Sequence, residues 1–187
     1  ETDESRVKLS ATNLEIAVCT WIGGEIEKPG TVTVPARLLT DFISSLSGDR
    51  IEMETTKNDG GLQLKCGRVE ANVNGTESSE FPPIPKVDEG VKCNVDPSDL
   101  IMAIDRVVFA AATDDSRPVL TGVKVDIEDR KLTLAAADGF RLAVHTGTLK
   151  EKVSEPVSSI IPARTLYELG RLLPGQEGPV EIVFSPE

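Results

Sequence analysis

Aromatic side chains are scarce in this 187-residue chain, which has five Phe, one Trp and one Tyr. With 39% hydrophobic residues, its interior has to be aliphatic, built from Val, Ile and Leu. Histidine occurs once, as His145, in a strand-like run with no Ser or Cys motif to partner it, which argues against nucleophile–histidine catalysis. Cys19, Cys66 and Cys93 are odd in number and far apart, without a Cys-x-x-Cys or Cys/His cluster, so they read as buried reduced thiols. The acids at 114–115 and at 126, 128 and 129 lie in loops or turns without ligand spacing, and the glycine pairs at 23–24 and 60–61 read as turns, so no metal and no cofactor is expected. No apolar run approaches the ~20 residues of a membrane helix. The acidic first five residues are not a signal peptide and read as a cut end, and a cytoplasmic location is expected. Positive charge is also short, 20 Lys and Arg against 31 Asp and Glu, for a net charge of −11. That average argues against nucleic acid, yet a surface acidic on one side can be basic on another.

What the chain does contain is one design written twice. Residues 132–144 alternate like a strand, pass through Asp138-Gly139 and alternate again, the pattern of a tight hairpin. Residues 7–18 repeat it, with Asn13 near the place of Asp138-Gly139 and Val18 at that of Val144, an offset of 126. Val34-Pro35-Ala36-Arg37 recurs as Ile161-Pro162-Ala163-Arg164, an offset of 127. One period is therefore one domain of about 127 residues. The first copy lacks what precedes the hairpin in the second, and the second lacks the closing strands of the first, so an internal fragment of a longer repeat protein is expected.

Along the chain, strands are predicted at 31–34, 51–56, 62–66, 69–73, 91–95, 119–127, 158–161 and 180–184, with a turn at 58–61. A helix follows Pro35, carrying Leu39, Phe42, Ile43 and Leu46. A second starts at Asp96-Pro97 with Leu100, Ile104, Val107, Val108 and Ala111 on its apolar face, and a third follows Pro162. The proline-rich, aperiodic stretch after residue 77 is the linker. This order gives an α+β protein with a first domain at 1–82, a linker at 83–92 and a second domain at 93–187.

The runs 117–123 (Arg-Pro-Val-Leu-Thr-Gly-Val), 136–143 (Ala-Ala-Asp-Gly-Phe-Arg-Leu-Ala) and 161–164 closely resemble the second domain of the bacterial sliding clamp family, the beta subunit of DNA polymerase III. Residues 11–16, 34–37 and 80–82 resemble its first domain, and the likeness covers nearly the whole chain in the family's order. It implies the DNA-clamp fold, with repeated strand-helix-strands units, sheets outside and helices lining the interior of a ring. It implies a homodimer closed head to tail around duplex DNA, with no chemistry of its own, tethering the replicative polymerase and meeting a clamp loader.

By that resemblance, Leu120, Ala137, Gly139, Phe140, Arg141 and Leu142 form half of a cleft for a partner's hydrophobic peptide. Read without it, Leu120 and Leu142 are core strand residues and Asp138-Gly139 is a plain turn. Arg37, Arg106, Arg117, Arg164 and Arg171 are candidates to face DNA, against the plainer reading of solvated surface charge. Ala71 and Val73, on an edge strand, are the expected subunit interface, with small side chains for that role. The competing functional reading is a β-rich repeat protein with a binding or scaffold role outside replication, with an acid-based hydrolase a distant third.

Overall fold

The computed structural model describes residues 1–48, 50–56, 60–87, 89–114 and 116–185. The chain separates into two units, Glu1–Ile84 and Pro85–Glu187. Asn58 and Asp59 of the predicted turn, Asp88 of the predicted linker, Asp115 and Glu187 lie outside the described residues.

Unit 1 opens with an antiparallel sheet of β1 (Thr2–Asp3), β2 (Arg6–Thr12) and β3 (Ala17–Gly23). Helix α1 (Ala36–Ser45) follows, and then a second antiparallel sheet of β4 (Glu52–Thr55), β5 (Leu62–Cys66) and β6 (Val69–Val73). The second sheet carries the core: Leu62, Leu64 and Val73 are buried, with Leu39 and Phe42 of α1 and Val32, Val34 and Ile51 packed on them. The strand expected at 31–34 is reduced to one bridge between Thr33 and Thr76. Pro35 has no N–H to continue a ladder, and beyond Thr76 the chain turns into a 3-10 helix at Ser78–Glu80. Gly75 allows the crossing, since a Cβ there would stand 2.4 Å from the carbonyl oxygens of both Thr33 and Gly60.

Unit 2 contains β7 (Val91–Val95), α2 (Pro97–Asp105), β8 (Gly122–Glu128), β9 (Lys131–Ala137), β10 (Leu142–Thr148), β11 (Val157–Pro162), α3 (Ala163–Leu172) and β12 (Val180–Phe184). All pairings are antiparallel, in a sheet ordered β10-β9-β8-β11 and a pair β12-β7. Helix α2 starts where its signals place it: the Asp96 side chain accepts from the Ser98 N–H at 3.0 Å, Pro97 fills the first helical position, and Asp99 sits in the first turn. Leu100, Ala103 and Ile104 of α2 and Leu166 of α3 share one core with Val123, Val125 and Ile127 of β8 and Leu132, Leu134 and Ala136 of β9. The helices approach closely where α3 has Gly170, since a Cβ there would meet Ile104 Cγ2 at 3.4 Å.

Two expectations for unit 2 need correction. The apolar face read as helix through Ala111 stops being α-helical at Asp105 and continues as a 3-10 turn, Val108–Ala110; adjacent β-branched Val107 and Val108 are poor helix formers. The strand expected from 119 begins only at Gly122, because Pro118–Thr121 is another 3-10 turn, with Pro118 fixing its first φ. Leu120 is therefore a turn residue and not a strand residue.

The internal repeat shows why the two cores differ in size. Strand β9 buries Leu132, Leu134 and Ala136 beneath α2 and α3, whereas the matching face of β2–β3 leaves Leu9, Val18 and Ile22 between 38% and 44% exposed. Separate cores predict separable unfolding. Leu64→Ala, at 0% exposure, should cost about 2–5 kcal/mol and lower the urea midpoint read by Trp21, the one Trp in the chain and part of unit 1. Ile104→Ala should leave the Trp21 transition in place while shifting the circular-dichroism transition. A single shared transition in both variants would contradict two independent cores.

Candidate functional site

The second hairpin turns on Asp138. Its N–H donates to the Arg141 carbonyl at 3.2 Å, and its Oδ1 accepts from the N–H groups of Phe140 and Arg141, both at 2.9 Å. Oδ2 accepts from Arg141 Nε at 2.8 Å. The backbone donors of Phe140 and then Arg141, helped by the Arg141 charge, hold the Asp138 carboxyl below the ordinary carboxylate range. Gly139 follows at φ +94°, a value that suits glycine. Strands β9 and β10 close at the Ala137–Leu142 pair, so the connection is four residues, 138–141, and not the two-residue turn that Asp-Gly suggests. Phe140 and Arg141 belong to the turn.

The first hairpin uses the same device. Asn13 Oδ1 accepts from the N–H groups of Glu15 at 3.0 Å and Ile16 at 2.8 Å, and the Asn13 N–H donates to the Ile16 carbonyl at 3.2 Å. Strands β2 and β3 close at Thr12–Ala17. Asn13 thus matches Asp138 at an offset of 125, one less than the sequence alignment, and Leu14 takes the place of Gly139. Leu14 stands at φ +74° with 81% exposure, a strained conformation for a leucine.

Around the second turn the structure gathers most of the predicted cleft. Leu142 is 70% and Phe140 96% exposed, so neither belongs to the core, and Ala137 is half-buried opposite Leu142. Leu120 is half-buried in its 3-10 turn, its carbonyl accepting from the Ala112 N–H at 2.8 Å. Arg117 joins this group and not the helix arginines: its Nη2 donates to the Asp138 carbonyl at 3.3 Å, and its Nη1 lies 2.9 Å from where a Gly139 Cβ would stand. Sequence reasoning missed Phe109, 59% exposed, with the Arg141 guanidinium carbon 5.8 Å from its ring centroid. Its only signal was an aromatic next to a failing helical period. Two hollows, of about 390 and 350 Å³, lie elsewhere, the first lined by residues such as Thr31 and Ser78, the second by residues such as Asp96 and Lys150. The group around Asp138 is an open surface.

The remaining arginines are exposed on or next to helices. Arg164 and Arg171 share one stripe of α3 with Tyr167, but Arg171 pairs with Glu168 at 3.2 Å. Arg37 faces Asp41 at 3.8 Å, and Arg106 caps the end of α2. Exposed pairs of this kind hold the side chains weakly. On β6, an edge of its sheet, Ala71 is half-buried but Val73 is 8% exposed and packs in the unit 1 core. What Val73 can offer an interface is its backbone, not its side chain.

Among the described residues no group of three or more His, Cys, Asp or Glu side chains is placed to hold a metal ion, and no helix is long and apolar enough to cross a membrane. Residues 94–187 match the family described as DNA polymerase III beta subunit, central domain, and residues 1–85 match its N-terminal domain. The chain belongs to the DNA polymerase III beta subunit family. The beta sliding clamp of Bacillus subtilis (strain 168) is 31% identical over 161 residues, 86% of this chain and 42% of the relative. That of Staphylococcus aureus (strain N315) is 32% identical over 180 residues, 94% of this chain and 47% of the relative. The crystal structure of the Bacillus subtilis DNA polymerase sliding clamp matches with a TM-score of 0.91 at 27% identity, over 98% of this chain and 50% of that one. The chain spans about half the length of the clamps it matches. Its fold is the α+β DNA-clamp fold, and membership in this family does not favour an unrelated repeat scaffold.

The two turns generate paired predictions. Leu14→Gly should stabilise unit 1 by about 0.5–1 kcal/mol, the relief of left-handed strain less the entropy of glycine. Gly139→Leu should cost about 1–2 kcal/mol; denaturant midpoints of the two variants moving in the same direction would contradict the equivalence. Because the folded-state pKa of Asp138 is lowered, its contribution is fully present above the unfolded-state value and is lost as pH falls through the folded one. The stability gap between wild type and Asp138→Asn, measured by urea melts from pH 6 downward, should therefore narrow in acid; a constant gap would refute the role of the carboxylate charge.

Proposed function

We propose that this chain supplies two domains of a sliding clamp that encircles duplex DNA and keeps the replicative polymerase on it. The observation that carries the reading is the order of two matched clamp domains, N-terminal then central, across nearly all of the chain. Such a clamp is a cytoplasmic, non-catalytic processivity factor. Holding polymerase and DNA together makes each re-engagement intramolecular, so a weak contact suffices for long synthesis.

In this reading Arg37, Arg106, Arg164 and Arg171 meet phosphates from the helices, without reading bases, which leaves the protein free to slide. The exposed acids Asp41, Asp99 and Asp105 on α1 and α2 keep that contact weak. The surface around Leu120, Ala137, Gly139, Phe140, Arg141 and Leu142, with Arg117 beside it, receives the hydrophobic peptide of a polymerase or clamp loader. The edge of β6, through the backbone of Ala71 and Val73, pairs with a second subunit to close a head-to-tail homodimer.

Two measurements test this. Replacing Arg164 and Arg171 together with Ala should weaken duplex binding and lower the slope of log affinity against log salt by about 0.9 for each phosphate no longer neutralised; an unchanged slope would remove α3 from the DNA surface. Protein carrying these residues, used as bait, should retain replicative polymerase, and Leu142→Ala should reduce that retention without lowering the melting temperature. Capture of no polymerase or clamp loader by the wild type would overturn the clamp reading.

A further inference from the structure

Helices α1 and α3 are two copies of one element, and their exposed faces differ at two positions. At the offset of 127, Arg37 and Asp41 of α1 match Arg164 and Glu168 of α3, while Thr40 is replaced by Tyr167 and Ser44 by Arg171. The four α1 residues are exposed, and so are Arg164, Tyr167 and Arg171. Tyr167 is the one Tyr in the chain, and at 55% exposure its ring does not serve the core. Leu166, next to it, is the buried residue of α3. Residues three and four apart share a helix face, so Arg164, three before Tyr167, and Arg171, four after it, flank the ring along about 10 Å of helix.

The charges on this face are unevenly committed. Glu168 pairs with Arg171 at 3.2 Å, which leaves Arg164 and the Tyr167 hydroxyl without a hydrogen-bond or ion-pair partner among the described residues. On α1 the matching arginine is opposed by Asp41 at 3.8 Å, and α2 exposes Asp99 and Asp105. Among the described residues, α3 is thus the helix whose exposed face joins an uncommitted guanidinium to an aromatic ring. A ring beside a cation complements a base together with its phosphate. In a duplex every base is already paired and stacked, and drawing one out is costly. A single strand presents its bases without that cost.

We propose that the exposed face of α3 is a site for single-stranded DNA, such as the unpaired template beside a duplex, with one base stacked on the Tyr167 ring and a neighbouring phosphate held by Arg164. Stacking is indifferent to base identity, because every base has a π-face, so the contact fits a protein that moves along DNA without reading it. This rests on the reading that α3 faces DNA, and it separates α3 from α1, whose Thr40 offers no such face.

The test compares a fluorescein-labelled thymidine oligomer with a duplex of the same length, at low salt, read by anisotropy up to millimolar protein. Tyr167→Ala should weaken the single strand about tenfold, as loss of one stacked base predicts, and leave the duplex unchanged, while Tyr167→Phe should keep both. Arg164→Ala should lower the single-strand slope of log affinity against log salt by about 0.7. With iodouracil in place of thymine, ultraviolet light should join the strand to the tryptic peptide of residues 165–171. Undiminished single-strand binding by Tyr167→Ala, equal loss on both DNAs, an adduct on another peptide, or wild-type binding of duplex alone would each overturn the proposal and leave the duplex reading standing. If Tyr167→Ala melts early, Tyr167→Leu decides: full single-strand binding overturns the proposal, and a loss confined to the single strand supports it. Wild-type binding of neither DNA would overturn both the proposal and the reading that α3 faces DNA.

Discussion

A carboxylate or amide oxygen that accepts two consecutive backbone N–H groups is the constraint on which both hairpins depend. At Asp138 it fixes where β9 ends and β10 begins, and so which residues leave the sheet and face outward. Once the turn is closed, Phe140 and Arg141 cannot join the ladder, Gly139 has to enter left-handed space, and Leu142 begins β10 on its solvent side. Asn13 does the same work in unit 1 with a neutral side chain. The device needs an Asx side chain, and only in unit 2 does it carry charge. The charge is what recruits Arg141, and through Arg141 the ring of Phe109.

Much of this order is legible in the sequence because alternation is a strong signal when one face of a strand is buried. Residues 62–66, 69–73, 91–95 and 180–184 are strands with the bounds their patterns set, and the Asp96-Pro97-Ser98-Asp99 cap marks the start of α2. What failed depends on chain geometry that side-chain pattern does not encode. Val119 and Leu120 look like the first residues of a buried strand, but the proline before them opens a 3-10 turn that contains both. The two hairpins align in sequence one residue out of step because similarity follows side chains, whereas the register follows the Asx oxygen. Nothing local distinguishes Val73 as a core residue from Val73 as an outward edge residue; its burial beside Leu62 and Leu64 decides.

The candidate site was legible in part, and for a reason of the same kind. The turn residues are contiguous, so a sequence resemblance carries them together. Arg117 lies 21 positions from Asp138 and reaches its carbonyl only in three dimensions, which places it beside the turn residues. Phe109 is hidden by its neighbours, since an aromatic among Val and Ala reads as one more core residue until the helix is seen to end. The net charge of −11 does not by itself exclude a DNA-facing role, because the distribution of charge and not its average sets the local potential.

The proposed hold on DNA is topological: protein built from these domains keeps DNA by surrounding it and not by tight contact. The measurement that addresses it most directly is retention on nicked circular DNA compared with the same DNA linearised, after loading and a wash in high salt. Enclosure predicts retention on the circle and rapid escape from the free ends of the linear form, with little dependence of circular retention on salt. Equal escape from both, or retention on both that vanishes with salt, would mean that contact holds the protein, and would contradict enclosure.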